Sequence, residues 1–266
     1  MPFRFLLLFF FSALPHLVRS QLQITHPANR IVYQRDFNNS ATFTVAGTYT
    51  QLLDRVEARL VPVQGGVATG WTLLEARPAG GSFNGSVTVS GGWYSLEVRG
   101  LLNGNPVAGD TLERVGVGEV FLIMGHSNAA GDNSHVHGAT DERVIIADAS
   151  KSDNKAYKSN ADPNFLSKLD FRQLCSTCLI APFETLPWLW SYLGESLVQK
   201  LDVPVLFYSA AFGGTNMEQN YKAIKGIPFI AFENVVTNGM PYVNLKNALI
   251  RYVPTTGLRA ILALHG

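Results

Sequence analysis

Six residues in succession, Val120-Phe-Leu-Ile-Met-Gly125, carry no charge, and the run stops abruptly at His126-Ser127-Asn128. A strand with one wet face alternates with a period of two, whereas a strand with no polar position must be covered on both sides. That requirement points to the interior of a parallel sheet with helices on both faces. In such folds, ligands and reacting groups collect beyond the carboxyl ends of the strands. Ser127 falls at that place, and a hydroxyl there is a candidate nucleophile. The same residue types also suit an ordinary strand-to-helix turn, where Ser and Asn cap helices and Gly accepts unusual dihedrals.

Two more runs have the same character: Pro204-Val-Leu-Phe-Tyr-Ser-Ala210 and Ala260-Ile-Leu-Ala-Leu264. Between the three runs, residues 189–201 and 243–252 carry apolar side chains at helical spacing. Strand, helix, strand, helix, strand is the pattern of an α/β unit. Upstream of residue 115 the period is different. Ala41-Thr-Phe-Thr-Val-Ala-Gly47, Val56-Glu-Ala-Arg-Leu-Val61, Gly85-Ser-Val-Thr-Val-Ser-Gly91 and Trp93-Tyr-Ser-Leu-Glu-Val-Arg-Gly100 all alternate, separated by Gly- and Asn-rich turns. Short strands at such spacing predict an all-β sandwich of immunoglobulin or fibronectin type, about 90 residues long and without the immunoglobulin cysteine bridge. The predicted organisation is residues 1–20 as a signal peptide, 21–115 as a β-sandwich accessory domain and 116–266 as part of an α/β domain. The polar stretch 129–187 is expected to be a long loop walling the cleft above Ser127.

Residues 1–20 read as a secretory leader: Arg4, then Phe5-Leu-Leu-Leu-Phe-Phe-Phe, then Ser20 as the small residue at the cleavage point. Pro15, His16 and Arg19 interrupt the apolar run too early for it to span a bilayer. Secretion is therefore expected, to a periplasmic or extracellular space, with no membrane attachment after cleavage. Removing the leader takes away Arg4 and Arg19 and no acid, so 21 basic and 20 acidic residues become 19 and 20. A balance so near zero, without any Lys/Arg run, argues against nucleic acid as a partner. The two cysteines, Cys175 and Cys178, are too few for a zinc site. In an oxidising compartment they predict a local disulfide. Asn38-Asn-Ser and Asn84-Gly-Ser are glycosylation sequons, meaningful in a host that glycosylates.

In a parallel sheet the three apolar runs end on one edge. They end at Gly125-His-Ser-Asn128, Ala211-Phe-Gly-Gly-Thr-Asn216 and His265-Gly266. Ester hydrolysis needs that layout: a nucleophilic oxygen, and backbone N–H groups aimed at the developing oxyanion. Gly213 and Gly214 suit the donor role, because backbone without a Cβ approaches a substrate closely.

These blocks resemble the sialate O-acetylesterase-like branch of the SGNH/GDSL hydrolases. Val117-Gly-Glu-Val-Phe-Leu-Ile-Met-Gly-His-Ser-Asn128 is similar to its first block, usually Gly-Gln-Ser-Asn. Pro204-Val-Leu-Phe-Tyr-Ser-Ala-Ala-Phe-Gly-Gly-Thr-Asn-Met-Glu218 is similar to the second, and Ile261-Leu-Ala-Leu-His-Gly266 to the start of the third, commonly Gln-Gly-Glu. The resemblance spans about 116–266. It implies a flavodoxin-like serine esterase that removes O-acetyl groups from carbohydrates without metal or nucleotide. By position, Ser127 is implied as nucleophile, with its own N–H and that of Gly213 or Gly214 in the oxyanion hole. His265 is a further candidate donor, and Asn128 and Glu218 match motif positions without a defined role. His126 and His265 depart from the family, which often has Gln at both places.

The family's catalytic Asp and His follow its third block, and the sequence ends at Gly266, so a C-terminally incomplete domain is expected. Local substitutes for the base look poor. His126 is expected to point away from Ser127, and His135 and His137 lie in the polar stretch. The competing reading is a non-catalytic carbohydrate-binding or adhesion protein, in which Trp71, Trp93 and Tyr94 would stack on sugar rings, although such residues more often fill a core. A lipase or thioesterase is a weaker third, since the 129–187 stretch is polar rather than apolar.

Overall fold

The computed structural model describes residues 21–132, 137–150, 154–166, 168–231 and 233–265; residues 1–20, expected as a signal peptide, and His135 and Gly266 lie outside them. In chain order, strands β1 (Leu22–His26), β2 (Val32–Gln34), β3 (Ser40–Tyr49), β4 (Arg55–Gln64), β5 (Thr72–Ala76), β6 (Ser82–Ser90), β7 (Gly92–Leu102) and β8 (Asn105–Gly125) come first. They are followed by α1 (Ser127–Ala130), β9 (Val144–Ala147), α2 (Asn154–Asn160), β10 (Phe171–Gln173), α3 (Trp190–Leu201) and β11 (Val205–Ser209). The described chain closes with α4 (Met217–Ile224), β12 (Phe229–Ala231), β13 (Asn234–Val236), α5 (Tyr242–Arg251), α6 (Val253–Thr256) and β14 (Ala260–Leu264). It is mostly β, with a mixed nine-stranded sheet and few helices.

The change of period near residue 115 takes place inside one strand. β8 is 21 residues long, half-exposed in alternation up to Arg114 and buried without a break from Val115 to Ile123. Its first part pairs antiparallel with β7, from Asn105 opposite Leu102 to Val117 opposite Gly92. Its last part pairs parallel with β11, from Glu119 opposite Val205, and with β14, from Phe121 opposite Ala260. The expected boundary at 115/116 therefore coincides with no break in the backbone ladder.

On the amino-terminal side, β1, β3 and β6 form a separate three-stranded sheet. Phe43, Val45, Phe83 and Val87 from it share one core with Val56, Leu60, Trp93 and Leu96 of the large sheet. On the other side, successive β8 residues point to opposite faces. Phe121 and Ile123 pack with Trp190 and Val198 of α3, while Val120 and Leu122 belong to the core that contains Ala248 of α5. Helices cover both faces, as the uncharged run requires.

The stretch 129–187 is not one long loop. It contains β9, buried at all four residues, which pairs parallel with β11. β10 extends the sheet antiparallel beyond β9. Val144-Ile-Ile-Ala147 is a buried strand too short to stand out from the charged residues around it.

Candidate active site

Three strand ends meet at Ser127. β8 stops at Gly125, whose φ of +147° is a backbone conformation that L side chains rarely adopt. A Cβ there would collide with the carbonyl oxygen of Leu264, so the ends of β8 and β14 lie against each other. Phe212 N–H donates to Gly125 O at 2.9 Å, which brings in the loop after β11. A Cβ on Gly213 would sit 3.9 Å from Ser127 Cα. The backbone of Gly213 thus runs directly beside the serine.

Ser127 is exposed at the first position of α1. The helix is a single turn held by its surroundings: Trp190 Nε1 donates to Ala129 O at 2.9 Å, and Leu186 N–H to Ala130 O at 2.9 Å. Its cap is His126, whose side chain accepts the Asn128 N–H. Asn128 is the second helical residue, exposed, and is not the cap.

His126 does not point away from Ser127. Its Nδ1 lies 3.1 Å from Ser127 Oγ. The expectation of divergence suits neighbours in a strand, whose side chains alternate. Here the chain has already left the strand and turned into a helix N-terminus, where a cap side chain folds back over the first residues. The His265 ring stands edge-on to His126, 5.0 Å between centroids at 84°. Burial first, and then the charge of His126, hold the His265 imidazole below its ordinary value of 6.5. Its Nε2 is buried and has no hydrogen-bond partner among the described residues.

The other predicted positions scatter. Gly214 is exposed in the turn after Gly213 with φ +70°. Glu218 is fully exposed on α4 and pairs with Lys222 at 2.7 Å, which holds its carboxyl below the usual range. His137 stacks on Tyr192 of α3 at 5.0 Å. Cys175 and Cys178 are joined by a disulfide that closes the turn after β10. Trp93 and Tyr94 are wholly buried, so neither offers a face to a sugar. Trp71 is half-buried and lies against the guanidinium groups of Arg59 and Arg99, at 4.6 and 4.0 Å. Asn216 and Gln219 form a reciprocal capping box on α4, which the spacing Asn-x-x-Gln signals in the sequence.

Among the described residues, no cluster of three His, Cys, Asp or Glu is placed to hold a metal, and no helix is long and apolar enough to cross a membrane.

No protein-family model matches this chain, and no curated protein matches it. Among solved structures it is similar to a carbohydrate acetylesterase from Xanthomonas citri, with a TM-score of 0.48 and 17% identity. That match covers 90% of this chain and 50% of the other, so the chain spans half the length of that structure.

Proposed function

We propose that this protein is a secreted serine esterase that removes O-acetyl groups from carbohydrates, with Ser127 as its nucleophile. The observation that carries the reading is the meeting of three sequence-distant strand ends around one exposed serine. Residues 21–115 serve as an accessory sandwich and 116–266 as an SGNH-like esterase unit of the sialate O-acetylesterase type. Ser127 Oγ attacks the acetyl carbonyl carbon, and the carbonyl oxygen gains the negative charge. The N–H groups of Ser127 and of Gly213 or Gly214 receive that oxyanion, with His265 as a further donor from the end of β14. Gly213 suits this role because its backbone passes Ser127 with no side chain between them. Collapse of the tetrahedral species breaks the bond to the sugar oxygen, which leaves with the proton that Ser127 Oγ gave up; water then attacks the acetyl carbon, and the ester bond to Oγ breaks to release acetate and restore the serine hydroxyl.

The test is labelling with a fluorophosphonate probe, read by mass spectrometry, beside acetate release from an acetylated polysaccharide. The expected result is a single labelled peptide carrying Ser127. Ser127→Ala is expected to lose the label and roughly 10⁴-fold or more of the hydrolytic rate. An unlabelled parent protein, or a label that persists in Ser127→Ala, sinks the nucleophile and moves the reading to a carbohydrate-binding protein.

A further inference from the structure

A strand at the edge of a sheet offers unpaired N–H and C=O groups to any other strand. Folded proteins blunt such edges with lysine, proline, a bulge or a short strand. β6 has none of these. It is nine residues long, Ser82-Phe-Asn-Gly-Ser-Val-Thr-Val-Ser90, with no charge and no proline. Among the described strands it pairs with β3 alone, in unbroken register from Ser40 opposite Ser90 to Thr48 opposite Ser82. β3 is uncharged as well. Phe43, Val45, Phe83 and Val87 of the two strands are buried in the core. Their other face presents Thr42, Thr44, Ser82, Asn84, Ser86 and Thr88, all exposed. An open edge of this composition is the pattern that pairs with further copies of itself.

We propose that Asn84 is an N-glycosylation site and that its glycan covers this open face and edge. The proposal rests on the reading of residues 1–20 as a secretory leader, and not on Ser127. Two independent observations carry it. One is the unprotected strand; the other is the acceptor in its middle. Asn84-Gly85-Ser86 is a sequon, and the period of two sets Asn84 and Ser86 side by side on the exposed face. The backbone there is fixed from behind. Asn84 N–H donates to the Glu75 carboxylate at 2.9 Å, and a Cβ on Gly85 would stand 2.5 Å from the Leu74 carbonyl oxygen. A bulky group on the Asn84 side chain therefore projects away from the core and displaces nothing within it.

The donor is a lipid-linked oligosaccharyl pyrophosphate. Asn84 Nδ2 bonds to the anomeric carbon of its first sugar, and the bond from that carbon to the pyrophosphate oxygen breaks. The amide gives up one proton to the transferase, the lipid pyrophosphate leaves, and nothing is oxidised or reduced. The attached glycan is bulky and solubilising. Centred on β6, it keeps a second strand from the edge that β3 leaves open. The other sequon does not replace it. Asn38 lies in the turn before β3, at the end of the sheet where Ser40 meets Ser90. That end is roughly 20 Å along β6 from Asn84, at about 3.4 Å per residue. A glycan on Asn38 leaves the middle of β6 bare.

The test is secretion of residues 1–266 by a eukaryotic cell that glycosylates, then peptide-N-glycosidase treatment in heavy-oxygen water and mass spectrometry. The expected result is an Asn84 peptide converted to aspartate with the heavy oxygen incorporated. Ser86→Ala keeps Asn84 and removes the hydroxyl that the sequon requires. It is expected to lose the mark and to form severalfold more aggregate by light scattering. Asn84→Lys puts a charge on the edge in place of the glycan, and is expected to stay as monomeric as the parent. Secreted protein with Asn84 unmodified overturns the site. Ser86→Ala as monomeric as the parent, or Asn84→Lys as aggregated as Ser86→Ala, overturns the shielding. If Ser86→Ala fails to fold, enzymatic removal of the glycan from the folded parent is read instead, and a protein that then stays monomeric overturns the shielding. Protein retained in the cell and unmodified sinks the leader, and the site with it. Fluorophosphonate labelling reads Ser127 separately in every case.

Discussion

Gly125 lies two residues before Ser127 and Gly213 passes beside it, and a methyl group would meet a different fate at each. At Gly125 the backbone has φ +147°, and a Cβ would collide with the Leu264 carbonyl oxygen and approach Ala129 Cβ at 2.8 Å. Neither neighbour is the loose end of a flexible side chain. Gly125→Ala is expected to cost about 3 kcal/mol or more of stability, measured by denaturant unfolding. At Gly213 the same Cβ has a single near neighbour, Ser127 Cα at 3.9 Å, which is ordinary van der Waals contact. Gly213→Ala is expected to fold within ~0.5 kcal/mol of the parent. Its methyl group then stands beside the reacting serine, and labelling of Ser127 should slow about tenfold, equivalent to ~1.4 kcal/mol. Equal labelling of parent and Gly213→Ala would show that the reacting ester needs no close approach to the backbone at Gly213. Both glycines are legible in the sequence, because each follows an uncharged run at the point where a buried strand must end. The contact of His126 with Ser127 is not legible. A separation of one residue says nothing about side-chain torsions until the backbone is known to turn into a helix between them.

The loop that carries Gly213 is anchored by the start of α4. Asn216 Oδ1 accepts the Gln219 N–H at 2.9 Å, and Gln219 Oε1 accepts the Asn216 N–H at 2.9 Å. Isolated helices shorter than about 12 residues are marginal in water, so the eight residues of α4 depend on such ends. Asn216→Ala is expected to cost about 1 kcal/mol and to speed amide exchange in the first turn of α4. Because Thr215 Oγ1 also donates to Phe212 O at 2.8 Å, the loop has a second tether. The exchange change should therefore stay within α4; protection lost across residues 210–215 as well would show that the cap, not Thr215, holds the loop. At this scale the sequence is read well where an element is long or uniformly apolar. The helical spacing of residues 189–201 and 243–252 matches α3 and α5, and the last apolar run is β14 itself. It is read poorly where tertiary pairing selects a short segment. β9 has four residues, and nothing in Val144-Ile-Ile-Ala147 says that β11 will pair with it until the sheet is assembled.

In the whole molecule, β8 joins what the two sequence periods suggest are separate units. Melting the parallel strands alone would uncover the continuously buried 115–123 stretch, while the antiparallel half would lose the strand that closes it. Side chains fasten the same joint. Arg30 and Arg114 both pair with Glu142, at 3.1 and 3.0 Å, and Trp93 Nε1 donates to that carboxylate at 3.2 Å. Glu119, within β8, is buried and accepts from Arg35 at 2.8 Å and Arg259 at 2.7 Å, joining residues from both ends of the described chain. Burial pushes the Glu119 carboxyl up, but hydrogen bonds from Arg259, Arg35 and Gln34 override it and hold the group below the usual range. That stability is present above the unfolded value and lost as pH falls through the folded one. His26 and His265 are both held below 6.5, mainly by burial. The unfolded chain takes up their protons first, so acidification through that value also favours unfolding. The expected calorimetric result is one transition at pH 7, with calorimetric and van't Hoff enthalpies equal. Its midpoint should fall as pH is lowered from 7 toward 4, first with the histidines and then with Glu119, and the transition should stay single. Two resolved transitions at pH 7 would mean that β8 divides near residue 115 and that each side folds by itself. A midpoint that rises on acidification would show that groups other than Glu119 and the two histidines govern the joint.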